Sequence, residues 1–151
     1  MHNQSQQIGD TIKYSLDDII RFIIDRTGCD KEEVKAESDL QNDLGCSGDD
    51  FDELISEYSA KFKVDMSSYL WYFHSEEEGH SNSIGKILFK TPYERVKHIP
   101  ITPALLLNSA NHGKWLITYP EHSLPKRRYD ILINQILVVT FVMFLLYKCS
   151  R

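Results

Sequence analysis

The densest chemistry in the sequence lies between Asp43 and Leu54, DLGCSGDDFDEL, where a thiol, a hydroxyl and five carboxylates fall within 12 residues. Paired carboxylates do general acid–base work only when their surroundings drive the two pKa values apart, which takes an apolar pocket around one of them. No run beside "GDD" supplies such a pocket. Cys46 stands near a helix start, where a thiol pKa falls modestly; it is read first as a small, half-buried structural thiol. His74 and His80 flank "SEEEG", which has the residue types of a metal site but not the spacing of a ligand pair, so a solvated loop is expected there. His98, His112 and His122 are scattered. There is no Ser/His/Asp or Cys/His order to assign and no Gly-rich phosphate loop. No catalytic residue and no metal site is assigned, and the chain is not read as an enzyme.

These residues need helices to position them, and the helix signals are clear. Ser15 with Asp18 makes a capping pair ahead of the apolar stripe Leu16, Ile19, Ile20, Ile23 and Ile24, which Gly28 stops. Ser47 with Asp50 reads as a second capping pair. The helix behind it carries Phe51, Leu54, Ile55, Tyr58 and Phe62 at helical spacing and ends near Lys63. Its other face carries Asp49, Asp50, Asp52, Glu53 and Glu57. Acids in a first turn complement the helix dipole, which accounts for Asp49 and Asp50. It accounts poorly for Glu53 and Glu57, which are expected to face a partner. "SSYLWYF" at 67–73 should lie on the core as a short helix, with Trp71 and Trp115 as core aromatics and Trp115 able to line an apolar groove. A smaller unit is expected from about Phe89. There Thr102-Pro103 starts a helix with Ala104 to Asn111 as its body and Gly113 as its stop, followed by an extended "KWLITYP".

Charge is divided sharply along the chain. Up to Pro125 there are 12 Lys+Arg against 21 Asp+Glu, a net of −9; beyond it 5 Lys+Arg stand against one acid, a net of +4. An acidic body argues against nucleic acid, whose phosphates need a basic face, and for a basic protein partner. Cys29, Cys46 and Cys149 are an odd, widely spaced set that reads as free thiols in a reducing compartment. Residues 1–14 lack the features of a signal peptide and read as a flexible polar leader.

From Ile131 to Tyr147 no residue is charged, and Ile136 to Tyr147 is apolar all round except at Thr140. A core helix in so small a body would need a polar face. The segment is therefore expected to cross a membrane, with Ile131, Ile136, Leu137, Val138, Val139, Phe141, Val142, Phe144, Leu145 and Leu146 facing lipid. Asn134 and Gln135 fit headgroups or a helix–helix contact. "KRR" at 126–128 precedes the span, and the positive-inside rule keeps the N-terminal body in the cytoplasm. The organisation expected is a leader at 1–14, a helical domain at 15–75, an extension at 76–120, a basic linker at 121–128 and a tail-anchoring transmembrane helix at 129–148.

Residues Ser15 to Asp65 resemble an acyl carrier protein: an amphipathic helix, "GCDKEEV", a loop ending in "DLG", an acidic second helix with "EL", then "KFKVD". In that family "DLG" leads into Asp-Ser-Leu, whose serine takes the phosphopantetheine arm. Ungapped alignment on "DLG" and "EL" sets Gly48, which has no nucleophile, at the serine position. A bacterial family of acyl-carrier-like proteins of unknown function is more similar still, sharing "DLGCSGDD", "YLWYF" and the "IPIT" to "YP" block, so that the resemblance spans roughly Ser15 to Pro120. It implies a mainly α fold, a small acyl-carrier-like helical bundle with a C-terminal extension and one transmembrane helix. It implies no cofactor, because "GDD" is that family's own pattern. Ser47, one residue early, is the alternative attachment point, turned by about 100° on a helix.

The function expected is a non-catalytic adaptor held at the bacterial inner membrane. Its partner, a basic protein or membrane protein, would meet Asp49, Asp52, Glu53 and Glu57. The alternative is a true carrier modified with phosphopantetheine at Ser47.

Overall fold

The computed structural model describes residues 13–77 and 83–150; the leader to residue 12, His80 and its immediate neighbours lie outside the described residues. The described chain is mainly helical. Helix α1 runs Leu16–Thr27, α2 Gly48–Phe62, α3 Ile84–Leu88, α4 Pro103–His112 and α5 Tyr129–Cys149, with single 3-10 turns at Trp71–Phe73 and Tyr93–Arg95. Extended backbone pairs only at one parallel bridge among the described residues, between Asp65 and Lys114.

The start and stop signals of α1 act as expected. The Ser15 hydroxyl accepts from the Asp18 amide, the Asp18 carboxylate accepts from the Ser15 amide, and Gly28 closes the helix in the left-handed region at φ 69°. Thr102 caps α4 from outside, Pro103 fills its first position and Gly113 ends it at φ 68°. At α2 the expectation fails. Ser47 has an extended N-cap backbone but makes no side-chain cap bond. The reason lies one residue on: Gly48 takes φ 58°, a left-handed entry that turns the first amides away from the Ser47 hydroxyl.

The helices share one core. Ile19, Phe22 and Ile23 of α1 meet Phe51, Tyr58 and Phe62 of α2, and Leu106 and Ala110 of α4 close the other side. Phe22 and Phe62 cross edge-on with ring centroids 5.5 Å apart. The Tyr58 hydroxyl, fully buried, donates to the Leu106 carbonyl at 2.6 Å and so ties α2 to α4. Ile101 and Trp115 belong to the same buried cluster, so the segment after Phe89 contributes directly to the core that α1 and α2 form.

Two segments expected to be exposed are built in. His74 and Ser75 are buried at 0% and 2% exposure. The His74 ring contacts Ile99 O through Nδ1 at 2.7 Å and the Tyr119 hydroxyl through Nε2 at 2.8 Å. Further on, Ser83 caps α3, a helix in place of the loop expected there. Helix α3 packs on the start of α5, and its contact is close: a Cβ on Gly85 would collide with the backbone carbonyl of Asp130. The Gly85 amide donates to Asn134 Oδ1 at 2.8 Å, which assigns one of the two polar residues in the apolar helix to a helix–helix contact.

Helix α5 has 21 residues and a mean hydropathy of 2.0 over its most apolar window, of which 6% is buried. At about 1.5 Å per residue it is roughly 31 Å long, the thickness of a bilayer's hydrocarbon core. It is apolar enough and long enough to cross a membrane.

Candidate functional site

Helix α2 forms one wall of an open cleft of about 760 Å³, to which its acidic face contributes Asp52. The periodicity that buries Phe51, Leu54, Ile55 and Tyr58 leaves Asp49, Asp52 and Glu53 exposed on the opposite side. Asp52 reaches the cleft rim, with Ser56 and Ser59 continuing that wall. The facing wall comes from Met66, Tyr69 and Trp71. Glu77 and Arg128 close the end.

The electrostatics are those of an anionic mouth. A smaller recess of about 230 Å³ adjoins the cleft at Gly48, Asp49, Trp71 and Glu76, and Asp52 and Glu77 line both. Burial, with Asp49 and Glu77 adding like charge, holds the Asp52 carboxyl above its ordinary pKa. No Lys or Arg of the described chain stands within ion-pair distance of Asp49, Asp52 or Glu53. The cation at the cleft, Arg128, is already committed. Its guanidinium grips Glu77 through two bonds of 2.9 and 2.6 Å and Asp130 through Nη2 at 2.6 Å. These contacts hold its pKa above the ordinary arginine value.

Glu57 does not join this face. Its Oε2 lies 2.6 Å from Arg26 Nε on α1, out of line for a hydrogen bond but close enough for an ion pair. This third-turn acid, expected to face a partner, links α2 to α1 and remains partly exposed. Of the two tryptophans, Trp115 is the core aromatic expected, and it is Trp71 that lines the groove. Trp115 is 4% exposed and donates to the Tyr119 hydroxyl at 2.8 Å, whereas Trp71 is half-buried and lines the cleft.

The cleft wall is held by a polar network that the sequence did not reveal. Neutral His74 donates to Ile99 O and accepts from the Tyr119 hydroxyl, which in turn accepts from the Leu70 amide at 3.1 Å and from Trp115. Both His74 ring nitrogens, the Tyr119 hydroxyl and the Trp115 indole N–H are then engaged. His74 stacks flat on Tyr69, with centroids 5.3 Å apart and planes 6° from parallel. Tyr69 lines the cleft, and its buried hydroxyl has no hydrogen-bond partner among the described residues. The loop before α2 is pinned in the same way, by His98 Nε2 at 2.6 Å from the buried Asp39 carboxylate and by Gln41 donating to the Tyr93 hydroxyl at 2.9 Å.

Cys46 is 7% exposed, and burial with the nearby Asp50 charge pushes its thiol up to about 11. Desolvation outweighs the helix start, so the thiol is structural, not activated. Both His74 ring nitrogens are occupied, and no three His, Cys, Asp or Glu side chains converge on a metal position among the described residues. Gly48 is buried in the left-handed region, where a side chain is strained.

No solved structure matches the chain. A family model described as "Protein of unknown function (DUF1493)" matches residues 2–118, which takes in α1 to α4 and every wall of the cleft except Arg128. The chain belongs to that family of unknown function.

Proposed function

We propose that the protein is a membrane-anchored, non-catalytic adaptor that receives a basic segment of a partner protein in the cleft beside α2. The observation that carries this reading is the anionic mouth of Asp49 and Asp52, with Glu53 exposed beside it: among the described residues none of the three has an internal cation, while Arg128 and Glu57 are engaged in internal pairs. A partner Lys or Arg would relieve the repulsion among Asp49, Asp52 and Glu77. The Trp71 and Tyr69 rings offer a cation–π surface to it. The buried Tyr69 hydroxyl would gain the hydrogen-bond partner it lacks, an omission that costs about 1–3 kcal/mol while it persists.

Helix α5 would hold this body at the bacterial inner membrane. Lys126 and Arg127, exposed ahead of the span, support a cytoplasmic orientation of the body under the positive-inside rule. The resemblance of Ser15 to Asp65 to acyl carrier proteins fits a fold kept for its acidic second helix, the face by which a carrier-shaped domain meets basic partners.

The test is capture of partners from detergent-solubilised membranes by the full chain, in a salt series, with wild type beside Asp52→Lys/Glu53→Lys. The reading expects partners that elute with salt and are lost from the variant. Salt-insensitive capture, unchanged by the variant, would overturn it.

The alternative, a carrier modified at Ser47, draws support from one observation: the Ser47 hydroxyl is not engaged in capping. Intact mass of the full chain after incubation with coenzyme A and a phosphopantetheinyl transferase separates the two. A gain of one phosphopantetheine, absent in Ser47→Ala, would establish the carrier.

A further inference from the structure

Among the described residues, the large apolar side chains left exposed fall in only two places: Ile84 to Phe89, and α5. Everywhere else they are buried or half-buried. The two places touch. Gly85 lets α3 lie directly on the backbone of Asp130 and accept Asn134 as a polar latch, and the Phe89 and Tyr129 rings pack with centroids 5.7 Å apart.

The pattern within α3 is one-sided. Ile84, Ile87 and Leu88 stand at i, i+3 and i+4, one face of a helix, and are 55%, 80% and 60% exposed. Gly85 turns the other way, onto α5, and Lys86 folds back to Glu94 at 3.7 Å. The depth of α3 is set by what it touches. Asp130 and Asn134 lie in the first two turns of α5, about 6 Å apart along its axis, at the end where the polar body begins. Exposed Lys90 follows Phe89 directly, with Arg95 Nε donating to its carbonyl at 3.0 Å, and exposed Lys126 and Arg127 immediately precede α5 in the chain. A purely protein-facing patch has no need of this continuity with a membrane helix, nor of its basic rim.

We infer that α3 is an interfacial helix: Ile84, Ile87, Leu88 and Phe89 enter the headgroup–acyl boundary of the leaflet that α5 enters, while Lys90, Arg95, Lys126 and Arg127 meet anionic lipid headgroups. This rests on the reading of α5 as a membrane span. The body is then fastened to the bilayer at two places, by α5 through it and by α3 on it, which fixes its tilt and the direction in which the α2 cleft opens.

The test uses the full chain reconstituted into phosphatidylcholine vesicles containing phosphatidylglycerol, with tryptophan placed at Ile87 or at Val138. The fluorescence of Trp71 and Trp115 is subtracted using wild type. Lipids carrying a nitroxide near the headgroup should quench the Ile87→Trp signal more than lipids labelled deep in the chain. Val138→Trp, mid-span, should show the reverse order. If Val138→Trp is quenched by the deep label but Ile87→Trp by neither, α3 is off the membrane and the inference is overturned. If neither variant is quenched, the span itself is refuted and the inference falls with it. Quenching at Ile87 that persists equally without phosphatidylglycerol would overturn the role given to the basic rim.

Discussion

His74 holds the cleft together through atoms that leave no trace in local sequence. Its two ring nitrogens join Ile99 and Tyr119, residues 25 and 45 positions away, and its ring supports Tyr69. Burial lowers its pKa from 6.5 to about 4, so it folds neutral. As pH falls through about 6.5 the unfolded chain takes up a proton that the folded chain refuses until about 4. Stability is therefore complete above that window and is lost within it, by about 3 kcal/mol in all. Urea midpoints of the full chain in detergent should fall accordingly between pH 6.5 and 4; in His74→Gln the midpoint at pH 7 should be lower and the acid decline flatter. Gly48 makes the opposite kind of residue-level statement. Gly48→Ser puts a side chain at φ 58° and should cost about 1 kcal/mol, read as a lower unfolding midpoint.

At the scale of elements, α1 and α4 were legible because their ends are written in adjacent residues: Ser15 with Asp18 and Gly28, Thr102-Pro103 and Gly113. The start of α2 was misread because Ser47 and Asp50 carry a capping pattern while Gly48 alters the geometry beneath it. Helix α3 went unread because five residues are too few for periodicity to register, and its stability comes from a neighbour 45 residues on. That dependence gives a prediction. Gly85→Leu should push α3 off α5 and speed tryptic cleavage at Lys86 and Lys90, while leaving the core unchanged. Between α2 and α4, Tyr58→Phe removes a buried bond to Leu106 O and should cost about 1 kcal/mol of unfolding free energy without altering the cleft.

For the whole molecule, the charge division legible in the sequence becomes a spatial one: an acidic mouth on the body, and basic residues gathered where α3 and α5 would meet lipid. What the sequence could not disclose is which acids are spent internally. Glu57 is paired across helices with Arg26, and Glu77 with Arg128, through contacts 31 and 51 residues apart. Of the acids expected to face a partner, Asp49, Asp52 and Glu53 have no ion pair among the described residues, and on them the adaptor reading depends. The most direct test places a photoreactive benzophenone residue at Glu53 of the full chain in living cells, alone and combined with Asp49→Lys/Asp52→Lys. The account predicts a discrete crosslink to a protein with a basic segment, abolished by the charge reversal. A crosslink indifferent to that reversal, or none formed, would contradict it.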